Sequence, residues 1–351
     1  MQNKTWMLYG CTGYSGKLIA QEAHRRGLKP ILAGRSASNT KTLAHELGLP
    51  YRVFDLSDPL IIKKRIEDYF MLFNAAGPFS ATGIPMLEAC ISTKTHYLSM
   101  AVDIPILQEM HGYHARARQA DIVLGVGLGF DVIPTDCIAA VLKEAMPDAT
   151  HLTLGFDGMN TMSAGSTKEF LESLAEPFWA RRNGKLVPFK MQSREERFGD
   201  EKKFAMTLVW GDAVSAFYST GIPNIDIFIS ASRTLVGVMR ALYLLRPLFQ
   251  SSVVRHGLNN LIDKWVDGPS YSARTSGVTN LFGEVQDSQG NRKRVTLKTA
   301  SEYELTYLGA LHGIEHVLKH TPPGGYYTPS QLLGARAIEE IDGSTKIEFV
   351  H

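Results

Sequence analysis

Three evenly spaced glycines lie in the stretch of this chain best suited to chemistry. The residues Tyr9-Gly10-Cys11-Thr12-Gly13-Tyr14-Ser15-Gly16 follow a short apolar run and precede a helical pattern. Gly10 permits a sharp turn, Gly13 lets the backbone approach a diphosphate, and Gly16 lets helix and strand pack closely. The N–H groups at the start of the helix, around Thr12, Tyr14 and Ser15, then face the phosphates. This GxxGxxG pattern between a strand and a helix predicts a dinucleotide-binding site.

The end of the next apolar run favours one dinucleotide over the other. An NAD site has an Asp or Glu about 20 residues beyond the glycines, which binds the ribose 2′-hydroxyl. Here the run ends Ala33-Gly34-Arg35-Ser36 and offers no acid. The guanidinium of Arg35 can bind a 2′-phosphate, Ser36 can donate a hydrogen bond to it, and Lys41 is close enough in sequence to assist. The sequence therefore predicts NADP(H) as the cofactor.

Two further loops follow apolar runs and complete the predicted site. Asp55 and Leu56 come after the third run, where they would meet the adenine. Ala75, Ala76, Gly77, Pro78 and Phe79 come after the fourth run, Met71–Phe73. Ligands bind at the carboxyl ends of strands in parallel sheets. The small residues of the second loop would let the dinucleotide lie against backbone, with Pro78 and Phe79 forming an apolar wall near the nicotinamide.

The elements that must position these residues alternate between strand and helix. Six short apolar runs and the helical stretches between them predict a doubly wound, parallel, Rossmann-type sheet. The predicted helices are Ser15–Arg26, Lys41–Leu47, Pro59–Tyr69, Pro85–Ser92 and Pro105–Ala120.

The pattern changes after Phe130. Cys137–Ala145 reads as a helix, and the strands at His151–Phe156, Thr207–Trp210 and Ile225–Ser230 alternate as in a largely antiparallel sheet. Helices are predicted at Thr234–Phe249, Glu302–Lys319 and Pro329–Ile341, and a strand at Lys346–Val350. The fold class is therefore α/β, with a second α+β domain that contains a mixed sheet. We expect a cofactor domain over residues 1–130, onto which 326–351 pack back, and a substrate and dimerisation domain over 131–325.

Composition excludes several classes of protein. Lys and Arg number 37 against 35 Asp and Glu, giving a formal charge of +2, whereas a nucleic-acid-coating protein needs a strong basic excess. Cys11, Cys90 and Cys137 are widely spaced and form no CxxC pair, so we expect neither a disulfide scaffold nor a metal site. No signal-peptide pattern or spanning apolar run occurs, which predicts a cytoplasmic protein.

Several of these stretches together resemble a known family. The chain is similar to the saccharopine dehydrogenase-like oxidoreductases, especially the trans-acting enoyl reductase branch, at Tyr9–Gly16, Ala33–Ser36, Asn74–Gly83, His96–Leu98, Gly129–Asp136 and Ser219–Asn224. The resemblance implies an N-terminal NADP-binding domain, a mixed substrate domain carrying part of a dimer contact, and a C-terminal segment that returns to the first domain. In the enoyl reductase branch, the substrate class is an unsaturated acyl chain.

The family positions also suggest acid–base candidates. Hydride transfer to an enoyl or imine carbon leaves a centre that must be protonated. Asp131, Tyr218, Ser219 and Asn224 are the candidates, although a structural role is more typical at these positions, with Asp131 as a helix cap or hinge hydrogen bond and Tyr218 as a strand aromatic.

The stretch 234–249 combines many apolar residues with arginines and contains no acid. Such a helix can lie on a membrane surface or line a pocket for an apolar substrate. More often such a helix is buried at a domain or dimer interface, with its arginines extended to water.

Three functional hypotheses follow. The first is an NADP(H)-dependent oxidoreductase that reduces a C=C or C=N bond of a hydrophobic or acyl-type substrate. The second is a non-enzymatic NADP(H)-binding sensor or lipid-surface protein, which binds the cofactor without turnover. The third is a saccharopine-like amino-acid dehydrogenase, which requires paired arginines in its cleft.

Overall fold

The computed structural model describes residues 4–158, 163–175, 177–208, 210–266 and 277–350. The strands, numbered in chain order, are β1 Trp6–Tyr9, β2 Ile31–Gly34, β3 Tyr51–Val53, β4 Met71–Asn74, β5 His96–Ser99, β6 Val123–Gly125, β7 His151–Phe156, β8 Trp179–Arg182, β9 Lys185–Pro188, β10 Ser193–Phe198, β11 Glu201–Thr207, β12 Asn224–Ser230, β13 Val278–Gln286, β14 Arg292–Ala300, β15 Gly325–Tyr327 and β16 Glu348–Val350.

The α-helices are α1 Tyr14–Arg25, α2 Ala37–Leu47, α3 Pro59–Ile66, α4 Phe79–Thr93, α5 Ile104–Gly112, α6 His114–Ala120, α7 Ile133–Ala145, α8 Ala164–Ser173, α9 Asp212–Thr220, α10 Arg233–Leu244, α11 Arg246–Phe249, α12 Ser252–Trp265, α13 Glu302–His320 and α14 Pro329–Leu333.

The chain divides into two compact units. The first runs to Ile133 and includes Leu305–Gly334, and the second contains Pro134–Glu304 and the described residues from Ala335 onward. The C-terminal boundary differs from the expected return of 326–351 to the first domain. β15 does pair with β6 of the first unit, whereas β16 pairs with β14 of the second. Residues 335–351 therefore belong to the second unit, and α13 from Leu305 onward belongs to the first.

The first unit contains the predicted parallel sheet. Among the described residues it has seven strands in the order β15-β6-β5-β4-β1-β2-β3, and every pairing is parallel. All four residues of β1, β2, β4 and β5 are buried, as expected for strands covered by helices on both faces. The strand order reverses between β1 and β4, and such switch points are where ligands bind in doubly wound sheets.

Four helices in the N-terminal part of this unit differ from the predicted boundaries by more than one residue. α3 ends at Ile66 rather than at Tyr69. α2 starts at Ala37 rather than Lys41 because Ser36 caps it and accepts a hydrogen bond from the Asn39 N–H. α4 starts at Phe79 and contains Pro85, which the prediction used as its first residue. The predicted helix Pro105–Ala120 is two helices, since the chain turns at Tyr113 between α5 and α6.

The second unit contains the predicted mixed sheet. Within the described part of the chain its path is β10-β11-β12-β7-β13-β14-β16, with β8 and β9 attached to β12, and only the β12–β7 pairing is parallel. One face packs on α7. Gly283 in β13 leaves room for this helix, since a Cβ there would lie 2.8 Å from Leu142 Cδ1.

Three elements predicted after residue 150 differ from the prediction by more than two residues. The strand expected at Thr207–Trp210 is β11, which ends at Thr207, and Val209 lies outside the described residues. The helix predicted over 234–249 breaks at Leu245 because Pro247 lacks the N–H that would bond to Tyr243 and its ring clashes with that carbonyl. The helix Pro329–Ile341 shortens to α14 and a 3₁₀ turn at Ala337–Glu340.

Within the described ranges, no helix combines the length and apolar character needed to cross a membrane.

Candidate cofactor site

The glycine-rich loop after β1 lies at the switch point of the first unit's sheet. Gly10 adopts φ +85°, and its N–H donates to the Ala33 carbonyl at the end of β2 at 2.9 Å. A Cβ on Gly10 would lie 2.7 Å from the Ala76 nitrogen. The loop therefore touches the ends of both β2 and β4, and only glycine fits at its first position.

The two other glycines differ in what surrounds them. A Cβ on Gly16 would overlap the Gly10 carbonyl oxygen and lie 2.9 Å from its carbon, so Gly16 sets the distance between α1 and the loop. Gly13 is the N-cap of α1 at φ −70°, and the closest atom to a Cβ there is the Gly10 oxygen at 3.4 Å. Gly13 is exposed, so its missing side chain leaves open space at the N-terminus of the helix. This is the backbone approach that a diphosphate needs.

The loop after β4 is held by a buried polar residue. Asn74 Oδ1 accepts from the Ala76 N–H at 3.0 Å, and its Nδ2 donates to the Tyr97 hydroxyl at 3.1 Å. Thr82 Oγ donates to the Ala76 carbonyl from the first half of α4. A cis peptide bond joins Gly77 and Pro78. Ala75, Ala76, Gly77 and Pro78 thus form an ordered turn beside the glycine-rich loop.

A cluster of charged and phenolic groups lies at the ends of β1, β2 and β3. The Tyr9 hydroxyl donates to the Phe54 carbonyl at 3.2 Å. Burial and the nearby Asp55 carboxylate raise the pKa of Tyr9 to about 12, while the Arg35 guanidinium opposes that rise. Arg35 is exposed directly after β2, and Thr12 approaches Gly34 from the glycine-rich loop. The cation of Arg35 is therefore available at the edge where a 2′-phosphate would lie.

Several of the remaining predicted contact residues are buried or already engaged in hydrogen bonds within the chain. Ser36 is engaged as the cap of α2, yet the N-terminus of that helix adds N–H groups beside Arg35. Asp55 is exposed and accepts from Ser57, and Leu56 is half-buried. Phe79 is buried as the first residue of α4, so its ring does not form the open wall that the sequence suggested. Burial raises the pKa of the Cys11 thiol to about 11, which keeps it protonated and unreactive at neutral pH.

The loops after β5 and β6 extend this edge of the sheet beyond the switch point. Gly129 lies against Met100 and Thr306, and Thr306 Oγ1 accepts from the Phe130 N–H at 3.3 Å. Asp131 follows in the turn before α7, where it is half-buried. Asp131 is therefore the acid–base candidate that belongs to the unit with the dinucleotide loops.

The other acid–base candidates lie in the second unit. Tyr218, in α9, is half-buried; burial raises its pKa, and the Arg181 guanidinium opposes that rise. The neutral phenol is thus the form present at neutral pH. Ser219 Oγ donates to the buried carboxylate of Asp136 at 2.7 Å.

The side chain of Asn224 has a structural role at the start of β12. Its Nδ2 donates to the Thr150 carbonyl at 2.9 Å, and its Oδ1 accepts from the Asn183 N–H at 3.0 Å. Both ends of the amide are used by backbone groups. Asn224 therefore aligns β12 with its neighbours and offers no acidic proton.

Sequence reasoning named Tyr9 and Asn74 as the first residues of the two loops but gave them no role in the site, and it did not identify the residues that support them. Tyr9 and Asn74 end apolar strands, and a polar residue in that position is a usable signal. Tyr97 and Thr82 gave no such sequence signal, because they act by supporting Asn74. Thr306 gave none either, since it reaches the β6 loop from a helix that is distant in sequence.

Residues 6–124 match the family described as the saccharopine dehydrogenase NADP binding domain. The first unit therefore carries a domain of the NADP-binding class, and NADP(H) is its cofactor. The matched range covers β1 through the middle of β6 and includes every predicted dinucleotide contact.

Curated relatives match about half of the chain. A trans-acting enoyl reductase from Mycobacterium ulcerans (strain Agy99) is 26% identical over 183 residues, covering 48% of this chain and 44% of the relative. A saccharopine dehydrogenase-like oxidoreductase from Mus musculus is 24% identical over 179 residues, covering 45% of this chain and 42% of the relative. The matched region thus spans less than half the length of either relative.

A solved structure matches over nearly the whole chain. Saccharopine dehydrogenase (L-Glu forming) from Saccharomyces cerevisiae superposes with a TM-score of 0.69, covering 99% of this chain and 100% of its own, at 12% identity. At that identity the match shows a shared fold.

Proposed function

We propose that this protein is an NADP(H)-dependent oxidoreductase that reduces a C=C or C=N bond of a hydrophobic or acyl-type substrate. The observation that carries the proposal is the open N-terminus of α1 at Gly13, at the end of a loop whose first glycine, Gly10, contacts Ala33 of β2 and Ala76 after β4. When bound, NADP(H) supplies the hydride. The chain's own residues bind and orient the dinucleotide and supply a proton.

The chemistry of the lining residues fits the two ends of NADP(H). Gly13 and the first turn of α1 would bind the diphosphate, and Arg35 with the start of α2 would bind the 2′-phosphate. The turn at Ala75–Pro78 would lie against the middle of the dinucleotide. Asp55 and Leu56 would border the adenine.

Titration with NADPH and NADH tests the cofactor assignment. Replacing Arg35 with Ala removes a charge-assisted contact of about 1.5–3 kcal/mol, so NADPH binding should weaken by roughly 10- to 100-fold while NADH binding stays unchanged. Arg65→Ala is the matched control, since Arg65 is exposed in the last turn of α3. Equal losses for NADPH and NADH, or tighter binding of NADH by the wild type, would rule out the proposed 2′-phosphate contact.

The proton that completes the reduction needs a donor on the chain. Asp131 and Tyr218 are our candidates, because one follows the β6 loop and the other is a phenol whose raised pKa keeps it protonated. Tyr218→Phe and Asp131→Asn remove these protons with little change in size. The variant of the true donor should lower kcat while leaving NADPH binding unchanged.

Turnover separates the proposed enzyme from its alternatives. With NADPH and a trans-2-enoyl thioester, we expect NADPH to be oxidised, measured as loss of the absorbance of the reduced nicotinamide. Oxidation of NADPH with an amine and a 2-oxo acid, but not with an enoyl thioester, would favour the saccharopine-like amino-acid dehydrogenase. Tight NADPH binding without turnover of either substrate would favour the sensor. The mycobacterial relative's name supports the enoyl substrate as the first to be tried.

The predicted homodimer, cytoplasmic location and peripheral membrane contact stay predictions of the sequence. The exposed apolar side chains along α10–α12, together with the arginines in the same stretch of sequence, favour the third of these.

A further inference from the structure

The second unit exposes a concentrated apolar surface along α10, α11 and α12. Of the twelve large apolar side chains that are exposed in the described residues, six lie on these helices and a seventh at the break between α10 and α11. They are Leu235, Val238, Leu244, Leu245, Leu248, Leu261 and Trp265. We call this set the apolar helix face. Leu244 is 80% exposed and Trp265 is 81% exposed, so its most prominent side chains project almost fully into solvent.

The inner side of α10 is already occupied. Val236 and Met239 are buried and attach the helix to the second unit. At 100° per residue, Val238 and Leu244 fall on the outward side of the helix. A helix that is apolar on both sides normally has a partner on each side. The outward side of α10 therefore needs a cover that this chain does not supply within its described residues.

The sequence along α10, α11 and most of α12 carries only basic formal charges, up to Asp263 and Lys264 near the end of α12. Residues 227–262 contain Arg233, Arg240, Arg246 and Arg255 and no Asp or Glu. Arg246 donates to the Ala175 carbonyl, which leaves its charge without a carboxylate at that contact. The guanidinium of Arg233 is 3.6 Å from Glu195 of β10, an exposed and weak pair.

The charge of the arginines distinguishes two possible partners, a second copy of this chain and an anionic lipid surface. In a two-fold contact between copies of this chain, each set of arginines would face its own copy, which repels. An anionic lipid surface instead attracts these arginines, while its hydrocarbon accepts the leucines and its interface accepts the tryptophan. We propose that the apolar helix face docks this protein on an anionic membrane surface, with Leu244, Leu248 and Trp265 inserted among the lipids.

Vesicle co-sedimentation tests the docking. The wild-type chain should bind phosphatidylcholine vesicles that contain phosphatidylglycerol and should release as salt rises. The double variant Leu244→Ser, Leu248→Ser should bind at least about tenfold more weakly, because two exposed apolar side chains are lost from the lipid. Arg240→Gln should weaken binding by roughly fivefold on the anionic vesicles.

Leu60→Ser is the matched control, since Leu60 is 74% exposed on α3 of the first unit. It should bind vesicles like the wild type, and all variants should keep wild-type circular dichroism and NADPH titration. The proposal is overturned if the wild type does not bind anionic vesicles, or if Leu60→Ser weakens binding as much as the double variant. It is also overturned if the wild type is a dimer that does not bind vesicles and the double variant is a monomer. None of these outcomes alters cofactor binding, so the proposed oxidoreductase activity is tested separately.

Discussion

At the scale of single residues, three glycines of one motif have three different jobs. Gly10 needs φ +85° and touches Ala76, and Gly16 leaves room for the Gly10 carbonyl. Gly13 has an ordinary φ of −70° and open space in front of it. The first two therefore serve the fold, and the third is the position at which we propose that the diphosphate binds.

Substitution by alanine should separate these jobs. Gly13→Ala should leave the free energy of unfolding within about 1 kcal/mol of the wild type, because its backbone suits alanine. The added methyl group meets the diphosphate, so NADPH binding should weaken by roughly two orders of magnitude, measured by fluorescence titration. Gly16→Ala should destabilise the chain by about 3 kcal/mol or more through overlap with the Gly10 carbonyl. Unchanged NADPH affinity in Gly13→Ala would contradict the proposed diphosphate position.

A buried histidine links the stability of the first unit to pH. The Nδ1 of His96 accepts from the Val123 N–H at 2.9 Å, and burial lowers the pKa of the imidazole below its ordinary 6.5. As the pH falls, the unfolded chain takes up this proton before the folded chain does. Stability linked to His96 is therefore intact above about pH 6.5 and is lost as the pH falls through the lower, folded pKa.

His96→Asn should remove that dependence, because an amide oxygen can accept the same backbone hydrogen bond and does not titrate. Urea unfolding of the wild type should show an extra loss of at most roughly 1.4 kcal/mol per pH unit below 6.5, and the variant should lack it. His24→Asn, at an exposed position on α1, is the control. A variant with the same acid slope as the wild type would assign the effect to other groups.

At the scale of elements, Asn74 converts the end of β4 into an ordered loop. Its side chain binds the Ala76 N–H and the Tyr97 hydroxyl within the protein interior. Asn74→Ala leaves both groups without this partner, so we expect a loss of about 2 kcal/mol in urea unfolding and faster hydrogen exchange at residues 75–78. Ser80→Ala, exposed in the first turn of α4, should change neither measurement. Wild-type exchange in Asn74→Ala would show that backbone contacts alone hold the loop.

Element types were easier to predict than element boundaries. The apolar runs of β1, β2 and β4 are buried along their full length, so local pattern and tertiary burial agree there. The predicted boundaries were wrong where a cap or a proline was misread. Ser36 caps α2 and so places its start earlier than predicted, and α4 begins before Pro85 and continues through it. The β10–β11 hairpin was missed because its half-exposed charged residues give little apolar alternation.

At the scale of the whole molecule, cofactor binding should stabilise the folded chain by mass action. NADPH at 100 times its Kd should add about 2.7 kcal/mol, visible as a higher Tm and as slower hydrogen exchange in β1 and β4. Gly13→Ala should lose most of this gain at the same concentration. An equal Tm rise in the wild type and Gly13→Ala would mean that NADPH binds elsewhere.

The sequence alone predicted the dinucleotide loop, the NADP(H) class of the cofactor and an α/β fold with a second, mixed-sheet domain. These features depend on local rules: glycine spacing, the absence of an acid near Arg35, and the period of apolar residues. Only the tertiary structure decided that Gly13 faces open space, that Asn74 and Tyr97 hold the second loop, and that residues 335–351 join the second unit. Each of those outcomes depends on contacts between residues distant in the chain, which local propensity does not encode. The tertiary structure also decided which side of α10 faces outward, because the sequence does not show that Val236 and Met239 are the residues that pack against the second unit.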